Sequence, residues 1–260
     1  MQHSSRYIVL FALAVCGVCS IFVAVSAVSL KERQERNKAI DVQSKVLVLA
    51  GLMSEGERLS GEEIGARFSQ SIESKVVRLA TGEYDETIDA DRFDQRSAAA
   101  DLSTSREAPP NLAKVRRTPH HAVVYHVRDE SGSFKSLILP IQGQGLWSTL
   151  YGFIALAPDA NGIQGITFYE HGETPGLGGE VDNPRWKSLW IGRKAFGESG
   201  EVEIEVKKGT AGKPEDDPYR VDGLSGATIT SRGVTGTLKF WLGEYGFGSY
   251  LNQFRAERGI

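Results

Sequence analysis

The stretch Asp222-Gly223-Leu224-Ser225-Gly226-Ala227-Thr228 offers a hydroxyl at a place where a phosphate could be held. It joins a polar loop to an apolar stripe, Val234, Leu238, Trp241, Leu242 and Tyr245, whose spacing predicts a terminal helix. Two glycines permit positive φ and close backbone approach, and a helix N-terminus presents unpaired N–H groups that favour an anion. The plainer alternative is an N-cap, which Ser225, Thr228, Thr230 or Ser231 could each supply. Residue types alone leave both open.

A second loop, His171-Gly172-Glu173-Thr174-Pro175-Gly176-Leu177-Gly178-Gly179-Glu180, directly follows an apolar run, and its glycines would let backbone lie flat against a planar ligand. A third, Gly143-Gln144-Gly145-Leu146-Trp147-Ser148, could bring Trp147 to the same ligand, although core packing is the commoner role of a lone tryptophan. None of the three is a dinucleotide GxGxxG in a βαβ unit, a P-loop or a GxSxG elbow. Among the histidines, His120, His121, His126 and His171 contain no HxxxH pair, and adjacent His120 and His121 point to opposite faces of an extended chain, so spacing argues against a metal site.

Strands must carry these loops. Residues 122–127 and 134–139 flank a polar turn at 129–133 and predict a hairpin; 149–157 and 163–169 predict two further strands. Val202, Ile204 and Val206 alternate with charged residues as in a half-buried strand, while Asn183-Pro184 and the pair Trp186 and Trp190 predict a helix over 183–194. Upstream, Ile64, Phe68, Ile72 and Val76 recur every four residues as a helical stripe, and 81–110 is polar, ending in Ala108-Pro109-Pro110, a connector. The expected fold class is α+β, a mostly antiparallel sheet with flanking helices, preceded by one N-terminal transmembrane helix. The expected divisions are a tail (1–6), a span (7–30), a juxtamembrane helical region and connector (31–114) and a main domain (115–260) that folds without the rest.

No charged residue occurs from Tyr7 to Leu30, a run long enough to cross a bilayer and longer than the apolar region of a cleavable signal, although Val25-Ser26-Ala27 resembles a cleavage site. Lys31, Arg33, Arg36 and Lys38 outnumber Arg6, which by the positive-inside rule alone would leave the large domain in the cytoplasm. Both cysteines, Cys16 and Cys19, lie in the run, so the rest of the chain has neither disulfides nor thiolate-held zinc or iron–sulfur clusters. A formal net charge of -3 spread over both signs gives no footprint for nucleic acid.

Taken together, DGLSGAT, ETPGLGGE and GQGLWS in their order behind one span, with the terminal FWLGEYGFGSYLNQF, resemble FMN-binding domains, and within them the C subunits of bacterial Na+-translocating NADH:quinone oxidoreductases. The G subunit of the Rnf complex shares ETPGLG and SGAT and is the nearest alternative; a non-redox, membrane-tethered binding module with unmodified Thr228 is another. The resemblance implies FMN joined through its phosphate to Thr228 by a flavin transferase, with Asp222, Ser225, Gly226 and Ala227 as the recognised acceptor site. It implies that Glu173, Thr174, Gly176, Leu177 and Gly178 lie along the isoalloxazine, with Leu146 and Trp147 nearby. It implies a bacterial inner-membrane protein, its soluble domain in the periplasm, relaying single electrons from a membrane iron–sulfur centre to another subunit's covalent FMN. The chain would not turn over alone: NADH oxidation and ubiquinone reduction need other subunits, and an uncharged span offers no Na+ site.

Overall fold

The computed structural model describes residues 4–129 and 131–259; the first residues of the expected tail and Glu130 of the expected turn lie outside them. Helix α1 (Ser5–Leu49) is continuous through the apolar run and the charged segment after it. The apolar run amounts to about 36 Å of helix, enough to cross a hydrocarbon core of about 30 Å, and its side chains are exposed on every side, from Ile8 to Val28. The same helix then joins the soluble body, where Val46 and Leu47 are wholly buried.

After α1 comes α2 (Gly61–Ser71), started by a capping box in which Ser60 and Glu63 satisfy each other's backbone N–H. The chain then changes period. The Ile64–Val76 stripe does not stay helical: β1 (Ile72–Arg78) is a strand, because residues four apart also share one face of a strand and the run Ile72, Val76, Val77 is β-branched. Next come α3 (Gln95–Ala100), β2 (Ser105–Glu107), β3 (Arg117–Pro119), β4 (His121–Arg128), β5 (Phe134–Gln144), β6 (Thr149–Leu156) and β7 (Ile163–Glu170). A 3-10 turn (Gly178–Asp182) follows, then α4 (Pro184–Ser188), β8 (Glu205–Val206), β9 (Arg220–Val221), α5 (Thr228–Leu242) and α6 (Gly248–Arg258).

Five strands form an antiparallel sheet in the order β1-β4-β5-β6-β7. Ile138, Phe153 and Ala155 pack with α1 and α2 on one face, while Leu137, Leu139, Ile154 and Leu156 pack with α5 and α6 on the other. A sheet covered on both faces explains why SLILPI reads as an unbroken apolar run.

Several expectations need correction. The helix over 183–194 is only α4, with Trp190 beyond it stacked edge-on to Trp186 at 5.4 Å, and the strand over 202–206 shrinks to β8. The last helical stripe stops at Leu242, because Gly243 begins a bend in which Phe247 N–H bonds Trp241 O; Tyr245 is half-exposed outside it and α6 follows. The sheet also begins at Ile72, well before residue 115. A fragment starting at Val115 would lose β1 from the edge of β4 and the α1–α2 cover of Val127, Ile138 and Phe153. We therefore expect that fragment to show no cooperative melt by circular dichroism, whereas one starting at Lys31 melts cooperatively; equal melts would refute this.

His126 on β4 is buried between Phe134 and Phe254, with Nε2 2.8 Å from the Tyr250 hydroxyl and Tyr84 closing the triad. Burial lowers its pKa from 6.5 to about 4. Between those values the unfolded chain binds a proton that the folded one refuses, so stability is full above pH 6.5 and falls as the pH drops toward 4, by up to about 3 kcal/mol. Melting midpoints from pH 7.5 downward should fall less steeply for His126→Phe than for the parent; parallel profiles would refute this.

Candidate functional site

All three glycine-bearing loops meet at one end of the sheet, where β5, β7 and α5 turn over. What joins them is the Glu173 carboxylate, 5% exposed. Its Oε1 accepts the Trp147 and Ser148 N–H groups at 2.8 and 3.2 Å, and its Oε2 accepts the Leu146 N–H at 3.1 Å and the Thr230 hydroxyl at 2.6 Å. Burial pushes this carboxyl's pKa up, but the Thr230 hydroxyl and the three N–H donors outweigh it and hold the value below the usual range. Space for the carboxylate comes from glycines: a Cβ at Gly145 would lie 2.6 Å from Oε1, and one at Gly178 would lie 2.5 Å from Oε2. Glu173 thus faces inward as a clamp between loops.

Thr228 is the first residue of α5, and its side chain is exposed. No side chain caps this helix: Ala227 holds the cap position, Ser225 is exposed, and Ser231 instead accepts the Leu224 N–H. The hydroxyl-as-cap alternative therefore fails. Gly226 has φ +70°, and a Cβ there would lie 2.9 Å from Leu177 Cδ2, so the DGLSGAT loop touches the ETPGLGGE loop. Asp222 is engaged with other segments: its Oδ1 accepts the Ala211 N–H and its carbonyl accepts Trp186 Nε1–H. Thr230 is wholly buried and already bonded to Glu173, which leaves Thr228 as the free hydroxyl of the pair.

On the loops that Glu173 ties to the start of α5, and beside Thr228 in sequence, are side chains that a packed core would have covered: Trp147 (69% exposed), Ile229 (52%), Leu177 and Leu146. Trp147 is a surface residue here, since its backbone is held by Glu173 and its ring is left outside. Thr174 is exposed and its carbonyl closes the loop by accepting the Leu177 and Gly179 N–H groups. Gly176 differs from its neighbours: φ is +76° but a Cβ would meet nothing within 4 Å, so its glycine answers to backbone conformation rather than to close approach within the chain. Sequence reasoning missed Thr230 as a partner of Glu173.

The direction of this end follows from α1. Lys38 Nζ is 3.3 Å from Glu170 at the end of β7, a Cβ on Gly165 would touch Leu49, and Lys135 Nζ donates to Ala50 O. From residue 38 to 49 the helix rises about 16 Å, and from 170 back to 165 the strand covers about 17 Å. Strand β7 therefore runs antiparallel to α1, and the loop after it points back toward the apolar half of that helix.

Residues 145–243, which hold the second loop, the DGLSGAT stretch and the third loop from Gly145 onward, match the FMN-binding domain family. The C subunit of the Na(+)-translocating NADH-quinone reductase from Pseudomonas aeruginosa is 44% identical over 262 residues, covering 98% of this chain and 97% of its own. The chain belongs to this family of C subunits. The relative of the same description from Haemophilus ducreyi is 45% identical over 93% of this chain and 91% of its own. The crystal structure of NqrC from Shewanella oneidensis, 37% identical, superposes with a TM-score of 0.77 over 86% of this chain and 99% of that one. The protein is thus a subunit of that translocase, with an FMN-binding domain, and full-length identity decides against the Rnf alternative. An uncapped helix start, an exposed hydroxyl and four exposed apolar side chains fit a phosphate-bearing, planar cofactor.

Proposed function

We propose that Thr228 carries FMN as a phosphoester and that the protein relays single electrons between a membrane iron–sulfur centre and a covalent FMN on another subunit of the complex. The carrying observation is Thr228 itself, an exposed hydroxyl at an uncapped helix start whose neighbour Thr230 is engaged elsewhere. In attachment, the Thr228 oxygen would bond to the FMN phosphorus of FAD on a flavin transferase, the pyrophosphate link would break, AMP would leave and the hydroxyl proton would pass to solvent. FMN, once bound, supplies one-electron chemistry; the chain supplies position. The rigid tie at Glu173 holds both loops against the start of α5, and the return of β7 toward the apolar half of α1 would present the cofactor to membrane-embedded partners.

The reading further places the soluble domain in the periplasm of a bacterial inner membrane, against the charge count that follows the span. One experiment addresses attachment and side together: intact mass of the full chain made without flavin transferase, with an exported one, and with one kept in the cytoplasm. A gain of one FMN less water only with the exported enzyme is expected. No gain in any arm would overturn the phosphoester, and a gain only with the cytoplasmic enzyme would overturn the orientation.

A further inference from the structure

The sheet end that holds Thr228 also holds a cationic cavity of about 430 Å³, lined by Arg96, Lys114, Arg116 and Arg117, with Gln144 and Thr149 among its uncharged walls and no acidic residue. Two of the cations are fixed. Arg96 bonds Glu170 and the Tyr169 hydroxyl and lies 3.4 Å over the Tyr151 ring, and Arg117 donates to Ser105 Oγ and O. The other two, Lys114 and Arg116, are exposed, and among the described residues their side chains have no ion-pair partner.

Lys114 has φ +51°, a left-handed conformation uncommon for lysine. The turn that imposes it is firmly built: the Asn111 side chain bonds Pro109 O, Val115 O and Val115 N–H, and Ala113 O accepts the Gln144 N–H. A strained residue over-determined by its surroundings suggests that the position of its side chain is used.

The height of this cavity is set by α1. Glu170 pairs with Tyr151 and binds Lys38, which lies about 12 Å along the helix from Leu30, the end of the apolar run. Thr149, paired with Gln144, is two residues further toward that run, about 7 Å. The cavity therefore reaches to roughly 5 Å above the hydrocarbon boundary, within the headgroup layer of a bilayer. Lys31, Arg33 and Arg36 are exposed on α1 in the same layer.

We propose that this cavity binds the headgroup phosphates of anionic phospholipids in the leaflet from which α1 emerges, with Lys114 and Arg116 as the contacting cations and Arg96 and Arg117 as its fixed frame. Such binding would fix the rotation of the domain about its helical stalk, and with it the face that Thr228 presents. The proposal rests on α1 being a retained span and is independent of flavin attachment.

The test is hydrogen–deuterium exchange of the full chain in nanodiscs of phosphatidylcholine alone or with about a third phosphatidylglycerol, after resistance to alkaline extraction has established the span. Several-fold slower exchange over 112–117 in the anionic discs is expected, lost in Lys114→Glu/Arg116→Glu and weakened by high salt. Equal exchange in both discs would overturn the proposal. So would protection that appears only when the other subunits are added, which would make the cavity a dock for an acidic protein surface. Extraction of the chain by alkali would overturn the span and the proposal together, while leaving the Thr228 mass test standing.

Discussion

Thr228→Val is expected to abolish covalent flavin while leaving the melting midpoint almost unchanged. Valine keeps the branched shape and removes only the hydroxyl. That hydroxyl caps nothing, the side chain is exposed, and the residue is the first of α5, where a β-branched side chain is tolerated. A surface change that breaks no bond should shift stability by no more than about 0.5 kcal/mol. The intact mass of the variant made with the transferase should equal that of the apo chain, with no fluorescence surviving on a denaturing gel. Retained fluorescence would move the attachment elsewhere. Thr230 would be a poor substitute, since it is wholly buried and bonded to Glu173.

How legible was this in the sequence? The hairpin over β4 and β5 and the strands β6 and β7 could be read because their apolar runs are bounded by turn residues and their partners are sequence neighbours. β1 could not, because its partner β4 lies beyond α3 and a long polar stretch, and because Ile72 and Val76 satisfy helical and strand spacing alike. The site divides in the same way. Glycine spacing marks the three loops, but it cannot say that Gly145 and Gly178 clear room for a carboxylate while Gly176 holds a positive φ with no protein atom near its missing Cβ. Nor could it orient Glu173, whose partners lie 25 to 27 residues upstream and 57 residues downstream. Nor could it choose between the two roles left open for Trp147, whose backbone is held by the fold and whose ring is exposed.

Glu173→Ala should be the most destabilising single change in the site, and it should slow flavin attachment without touching the acceptor hydroxyl. It would leave three N–H groups and the Thr230 hydroxyl without their acceptor, and a gap between Gly145 and Gly178 where the carboxylate had been. Each orphaned buried donor costs about 1–3 kcal/mol if it stays dry. Water can reach part of this edge, since Leu146 and Trp147 are exposed, so a net loss of roughly 2–4 kcal/mol is expected. For a domain of this size that lowers the melting midpoint by roughly 5–15 °C. Glu173→Gln keeps the shape but replaces one accepting oxygen with a donor, and should fall between parent and alanine. The charge adds a pH signature. Because the folded carboxyl sits below its ordinary value, its stabilisation is present above the unfolded carboxyl range and fades as the pH falls through the folded value, a loss the glutamine variant should not show. Thermal melts of the three proteins from neutral to acid pH, run beside the rate of mass gain with the transferase, separate the clamp from the tether. Thr228→Val removes the flavin and keeps the fold, whereas Glu173→Ala weakens the fold and delays the flavin. A Glu173→Ala chain that melts with the parent and gains flavin at the parent rate would show that the three loops find their places without the carboxylate.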